Sequence, residues 1–408
     1  MGVDVRFRTD GAVPRHSPDE LFDEVLPARL DAAADRFAVW LGERRVRPLT
    51  VAVGERSWTL DHAAGRITIS RGEHATKRAI LTDEQVADLA ADLITPMAWL
   101  ATGELAHIGA RLEHLLDWWI VLRALLDDTA PHVRGAIELV DAAGEPLDLT
   151  RRFSIDDDPA AMADFCERAG YLHIAGVFSE AEMAAVSAEM DAAAPRYVDG
   201  DGRSWWATLN DGSDALVRMQ GFDRESSAAA ALADDPRMWR LAALSGDGHR
   251  FGVDHHNRIE ALFKPIGVAR GISDVPWHKD CSLGRHSYDC CALNMGISVT
   301  GADAESGQLR VVAGSHRALI WPAPSLQPGL DLPVVDLATE TGDVTIHLSC
   351  TLHMAQPPVV RGRRVMYTWT ALPPRADAPR DARARLGEIR ESASVTVSQP
   401  PSPSPAAS

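Results

Sequence analysis

The sequence predicts an α+β chain with a mixed N-terminal α/β domain at residues 1–145, a linker at 146–158 and a strand-rich domain at 159–376. Three observations lead there. Up to about residue 135, helical and strand periods alternate. The polar run DAAGEPLDLTRRFSIDDDP, rich in Gly, Pro and acids, then interrupts the apolar pattern. Beyond Ala160, helices come first and short strands later, the order in which helices buttress a β-sandwich or barrel.

The N-terminal domain opens on a helix-like run, ELFDEVLPARLDAAADRFAVWLGE. Two strands are expected next, LTVAVGERSWTL and GRITISRG, joined by a turn around Asp61–Gly65. Thr82 and Gln85 have the spacing of a capping box, so a helix should start there and run toward Pro96. ARLEHLLDWWIVLRALLDD is apolar almost all round, which suits a helix buried in a core or lining a lipid groove. In the second domain AAMADFCERAG and SEAEMAAVSAEMDAAA read as helices. The Pro/Ser-rich end, residues 392–408, reads as disordered.

The chain has 408 residues, 46% hydrophobic and 24% charged, enough to bury a large core. Its formal charge of -17 argues against wrapping nucleic acid, which needs a basic face. No run is long and apolar enough for a membrane span, and no apolar run follows the first positive residues, so a cytoplasmic protein is expected. The five cysteines (Cys166, Cys281, Cys290, Cys291 and Cys350) form no C-x-x-C pair and are expected to be reduced, with Cys290 and Cys291 buried as small hydrophobes.

The chemistry concentrates in two segments. VPWHKD puts His278 and Asp280 two apart, on one face of a strand, where an imidazole and a carboxylate can meet one ion. A His-x-Asp pair arises by chance in a chain this long and needs a third ligand. GDVTIHLSCTLHMAQPPVVRGRRVMYTWTAL supplies His347 and His353, then a strand opened by Arg363 and Arg364. Two imidazoles and one carboxylate leave three positions of ferrous iron open for a bidentate 2-oxo acid and O2 together. An arginine on the adjacent strand offers a cation for the distal carboxylate of 2-oxoglutarate.

Across residues 160–372 the sequence resembles the phytanoyl-CoA dioxygenase family of iron and 2-oxoglutarate oxygenases. The landmarks come in order: FCERAGYLHIAGVFSEAEM, FKPIG, WHKD, ESGQLRVVAGSH and GDVTIHLSCTLH. The resemblance implies a double-stranded β-helix of the jelly-roll or cupin type. It implies Fe(II) held by His278, Asp280 and His353, with 2-oxoglutarate and O2 as co-substrates. His353 stands ten residues after Asp343, and His347 matches a second, non-ligand histidine. The arginine eleven residues beyond His353 is Arg364, with Arg363 the one-residue alternative, since strand alternation turns only one of them to the site. Asn294 and Lys264 are further cofactor-binding candidates. Where relatives commonly carry His-Gly-Ser, this chain has His353-Met354-Ala355, so another donor must replace the hydroxyl. An intact Asp280 favours oxygen transfer over halogenation, and hydroxylation of a C–H bond of a small-molecule or lipid-like substrate, with release of succinate and CO2, is the default outcome, although desaturation, cyclisation or epimerisation would use the same ligands.

His316, His286 and the His255–His256 pair lack such support and read as structural or exposed, with a site-edge role conceivable for His286. DGDGRSWW reads as a turn, and Trp205 and Trp206 as packing residues before loop residues over a site. Residues 15–130 are similar to sterol-carrier-protein-type lipid-binding domains in the order of their elements. That suggests either a domain that presents an apolar substrate or a helper that covers a sheet. The competing functional reading is a lipid or small-molecule carrier whose metal site does not turn over.

Overall fold

The computed structural model describes residues 15–246, 248–251, 257–271, 275–281 and 292–371. The expectations for His255, His256, His286, Cys290, Cys291 and the tail at 392–408 lie outside them.

In the N-terminal domain the opening helical run divides at Pro27, with a π-helical turn at Glu20–Val25 followed by α1 (Pro27–Glu43). LTVAVGERSWTL is a hairpin rather than one strand. It forms β1 (Leu49–Val53) and β2 (Arg56–Ala63), because Gly54 takes a positive φ of 60° and reverses the chain. With β3 (Arg66–Arg71) and β4 (Arg78–Ile80) they make a sheet in the order β3-β2-β1-β4. The capping box forms as expected at Thr82, with both bonds to Gln85, but α2 (Asp83–Ala90) ends early. A new helix, α3 (Pro96–Thr102), starts with Pro96 in its first turn and Thr95 as its cap, where a missing N–H costs nothing. After α4 (Leu105–Ile108), α5 (Leu112–Leu126) runs through the core, burying Leu116, Trp118, Trp119 and Ile120.

The run expected to be a linker is built into the second domain. Phe153 is buried, β5 (Phe153–Ser154) pairs in parallel with β6 (Tyr171–Ala175), and Tyr171 Oη donates to the Leu149 carbonyl at 2.5 Å. The helices read from the sequence appear as α6 (Pro159–Ala169), capped by Asp158, and α7 (Glu180–Ala193), capped by Ser179 with Glu182. Between α7 and the later strands lie β7 (Ser204–Leu209), β8 (Asp214–Met219), α8 (Ser227–Ala233), α9 (Pro236–Ala242) and β9 (Arg250–Phe251). Trp205 packs in a small apolar cluster with Ala207 and Val217, under the Arg218 guanidinium.

The remaining strands are β10 (Glu260–Lys264), β11 (Val268–Arg270), β12 (Leu293–Ser298), β13 (Leu309–Val312), β14 (Val334–Leu337), β15 (Val344–Leu348), β16 (His353–Ala355) and β17 (Arg363–Ala371). The large sheet runs β11-β7-β8-β10-β17-β12-β15-β6-β5, with β9 on β17, and the small sheet runs β14-β13-β16. Side chains from both, such as Met295 and Ile346 against Val311 and Leu337, share one core. This is the two-sheet, helix-buttressed architecture expected from the order of elements. The turn before β15 demands glycine: Gly342 has φ 85°, and a Cβ there would lie 1.9 Å from the Phe178 carbonyl oxygen.

Candidate metal centre

His278 and His353 come from different segments but face each other as an isolated antiparallel bridge, each backbone N–H donating to the other's carbonyl at 2.9 Å. Asp280 is fixed by its own N–H, which donates to the Ser349 carbonyl at 2.9 Å. The period of two then turns His278 and Asp280 to one side, and one ligand atom from each of His278, Asp280 and His353 lies within 4.8 Å of the others. The Asp280 Oδ1 is 3.5 Å from His278 Nε2 and 3.8 Å from His353 Nε2, spacings that suit three ligands around one ion.

The tautomers are set from behind. His278 Nδ1 donates to the Pro276 carbonyl at 2.8 Å and His353 Nδ1 to the Thr351 carbonyl at 2.9 Å, so both Nε2 lone pairs face Asp280. Burial holds the His353 imidazole well below its ordinary pKa and therefore neutral. Burial would raise Asp280, but the three histidines around it, His353 foremost with His278 and His347, outweigh it and hold its carboxyl well below the ordinary range. Imidazole lone pairs facing a carboxylate are a donor set ready for a divalent cation. His347 is buried 3.8 Å from Asp280, its Nδ1 turned to the Leu348 carbonyl at 3.2 Å.

Around this cluster a pocket opens between the two sheets. Arg363, Val365 and Tyr367 line it from one face of β17, beside Leu262 and Lys264 of β10 and Gly296 and Ser298 of β12. Arg364 does not reach it. This corrects the arginine expected from spacing: strand alternation turns Arg364 outward, where it forks onto Asp191 at 2.8 and 2.9 Å and donates to the Ser187 carbonyl at 2.8 Å. Of the two neighbours, Arg363 is the one that lines the pocket. Among the described residues its guanidinium has no hydrogen-bond partner, its Nε is buried, and burial brings the group down to about 10.

Asn294 is also corrected. It sits behind the metal cluster, its Nδ2 donating to Asp280 Oδ2 and, at 3.0 Å, to Ser349 Oγ, and it is not among the pocket-lining residues. Lys264 does line the pocket, directly across the strand pair from Arg363. Ala355 lines it too, and the hydroxyls available in its neighbourhood are those of Ser298, Thr339, Thr345 and Tyr367. Ser298 Oγ donates to Thr339 Oγ1 at 2.8 Å, which leaves the Thr339 proton free for a bound anion. Tyr367 and Arg218 were missed in the sequence. Counting by twos along β17 from Arg363 would have found Tyr367. His316 is structural as expected, with Nε2 donating to the Glu167 carbonyl at 2.8 Å.

Residues 166–365 match the phytanoyl-CoA dioxygenase family. Through that domain the chain belongs to the phytanoyl-CoA dioxygenase family. It is thus an Fe(II)- and 2-oxoglutarate-dependent oxygenase family enzyme acting on a small molecule, and its second domain is that family's double-stranded β-helix. The match covers none of the N-terminal domain, so the likeness to sterol-carrier-protein-type domains gains nothing from it. No curated protein matches the chain. Similar solved structures include the non-haem α-ketoglutarate-dependent epimerase SnoN from nogalamycin biosynthesis, at 23% identity and TM-score 0.40, over 53% of this chain and 84% of that one. AviO1 from Streptomyces viridochromogenes Tue57 shares 20% identity with TM-score 0.42, over 54% of this chain and 98% of that one. EctD from S. alaskensis with bound Fe shares 20% with TM-score 0.43, over 53% and 78%. Among the described residues no helix is long and apolar enough to cross a membrane.

Proposed function

We propose that this oxygenase hydroxylates a C–H bond of a small or lipid-like substrate, with His278, Asp280 and His353 as iron ligands and Arg363 as the anchor of 2-oxoglutarate. The observation that carries the reading is the pairing, in one pocket, of the ligand cluster with a guanidinium that has no partner among the described residues. A buried cation without a counter-ion is costly, and a dicarboxylate bound through its far end would repay the cost. Iron and 2-oxoglutarate together supply O2-dependent C–H oxidation coupled to decarboxylation to succinate and CO2.

The residues then have separate tasks. His278, Asp280 and His353 hold the metal from one side and leave the pocket side open. Arg363 would hold the distal carboxylate, and Lys264 would add positive charge next to it. The Thr339 hydroxyl, its oxygen already satisfied by Ser298, is placed to donate in place of the hydroxyl that Ala355 lacks. Leu262, Leu309, Leu337 and Val365 offer apolar wall to the substrate and keep water from it. An intact Asp280 supports oxygen transfer rather than halogenation.

Anaerobic protein titrated with Fe(II) and 2-oxoglutarate should develop the weak visible charge-transfer band of the chelate, and admission of O2 with a panel of small and lipid-like substrates should yield succinate and a hydroxylated product. A band without succinate from any substrate would favour a carrier whose metal site does not turn over.

A further inference from the structure

We infer that the N-terminal domain is a working part of the iron site, reaching it through Lys279 and residues 312–322, which act as a positioning strut. The inference rests on the reading of His278, Asp280 and His353 as iron ligands.

Lys279 lies between two of those ligands and is fully buried. Lysines are almost never fully buried unless their ammonium is satisfied. Here Nζ donates to the carbonyls of Ser315 at 3.0 Å and Ala318 at 3.4 Å, and the backbone N–H donates to the Pro322 carbonyl at 3.3 Å. The same segment grips the strand of the third ligand. Ser315 Oγ accepts the N–H of Leu352, next to His353, at 2.8 Å, and the Val312 N–H donates to the Leu352 carbonyl at 2.8 Å. Ser315 therefore touches both ligand strands, one through its carbonyl and one through its hydroxyl.

Just beyond Ala318 the segment leaves its own domain. Leu319 and Trp321 are buried in the N-terminal core with Trp40, Trp118 and Trp119. The His132 N–H donates to the Leu319 carbonyl at 3.2 Å. Trp321 Nε1 donates at 2.9 Å to Asp117 on α5, which also accepts from Arg44 at 2.6 Å. The Arg44 guanidinium lies 5.1 Å from the Trp321 ring and 5.7 Å from that of Trp40. The carbonyls that fix Lys279 thus stand on a segment whose far end is held by the other domain, so loosening Trp321 frees the backing of both ligand strands.

The test is an anaerobic Fe(II) titration of the full chain at saturating 2-oxoglutarate, read by the charge-transfer band, with the visible spectrum of bound Co(II) as a second reading of ligand geometry. Lys279→Met and Trp321→Ala are expected to weaken Fe(II) binding roughly 10- to 100-fold, the usual effect of losing an outer support of a metal site, and to change the Co(II) spectrum. Trp321→Phe, which keeps the ring and loses the N–H, should fold even if Trp321→Ala does not, and should weaken binding severalfold. Trp58→Phe, elsewhere in the same N-terminal core, should leave iron binding unchanged. Wild-type affinity and spectra in folded Lys279→Met and in both Trp321 variants would overturn the strut, and so would loss confined to Lys279→Met, or an equal loss in Trp58→Phe. No band in the wild type, or an undiminished band in His278→Ala, would instead overturn the ligand reading.

Discussion

Arg363 and Arg364, neighbours in sequence, face opposite sides of one strand: Arg363 enters the metal pocket with no guanidinium partner among the described residues, and Arg364 forks onto Asp191 outside it. Charge-assisted hydrogen bonds are worth about 1.5–3 kcal/mol, so Arg363→Met should weaken 2-oxoglutarate binding roughly 10- to 100-fold. Arg364→Ala should leave that affinity unchanged and lower stability by less than about 1 kcal/mol, because its pair with Asp191 is partly exposed. Titration of the iron-loaded variants with 2-oxoglutarate separates the two; a larger loss for Arg364→Ala would reverse the assignment.

Asp280→Ala removes the only carboxylate of the ligand cluster. The expected outcome is loss of succinate formation and iron binding weakened by at least about tenfold, since even outer-shell changes reach that size. Unchanged turnover in this variant, measured as succinate released per O2 consumed, would sink the ligand assignment.

Asn294→Ala should affect iron and not 2-oxoglutarate. The side chain bridges Asp280 and Ser349, so its loss frees the carboxylate to turn and should weaken Fe(II) retention roughly tenfold or more. Binding of 2-oxoglutarate to the iron-saturated variant should match the wild type, whereas a contact with the co-substrate would show there first.

How much of this was legible in the sequence depended on how local each feature is. His278, Asp280 and His353 were readable because a strand's period of two and the Gly342-Asp343 turn fix their direction from nearby residues. The choice between Arg363 and Arg364 was not, because a shift of one residue in the register of β17 against β10 exchanges their faces. Asn294 was placed on the right strand, but only the approach of Asp280 from another segment shows that it serves that carboxylate. Lys279 gave no signal at all, since its partners Ser315 and Ala318 are 36 and 39 residues away. Helices α6 and α7 were legible in AAMADFCERAG and SEAEMAAVSAEMDAAA while α8 and α9 were not read, and the β1–β2 hairpin was hidden in an apolar run whose turn was marked only by Gly54.

Asp343 should give the fold a specific acid sensitivity. Its carboxylate is nearly inaccessible and accepts from His173 Nε2 at 2.8 Å, Arg152 at 2.8 Å and the N–H groups of Gly176 and Glu340 at 2.8 and 2.9 Å. Burial alone would raise its pKa; the His173 bond and the two backbone donors outweigh that and bring it down to about 2 from 3.8. A pKa depressed in the folded state stabilises the protein above the unfolded value and loses that contribution as pH falls toward the folded one. The shift corresponds to about 2 kcal/mol, present at pH 7 and lost between about pH 4 and pH 2. Asp343→Asn should therefore be about 2 kcal/mol less stable than the wild type at neutral pH, with the gap closing on acidification. Urea unfolding of both proteins at stepped pH measures the gap, and a gap that stays constant down to pH 2 would show that the charge of Asp343 is not its source.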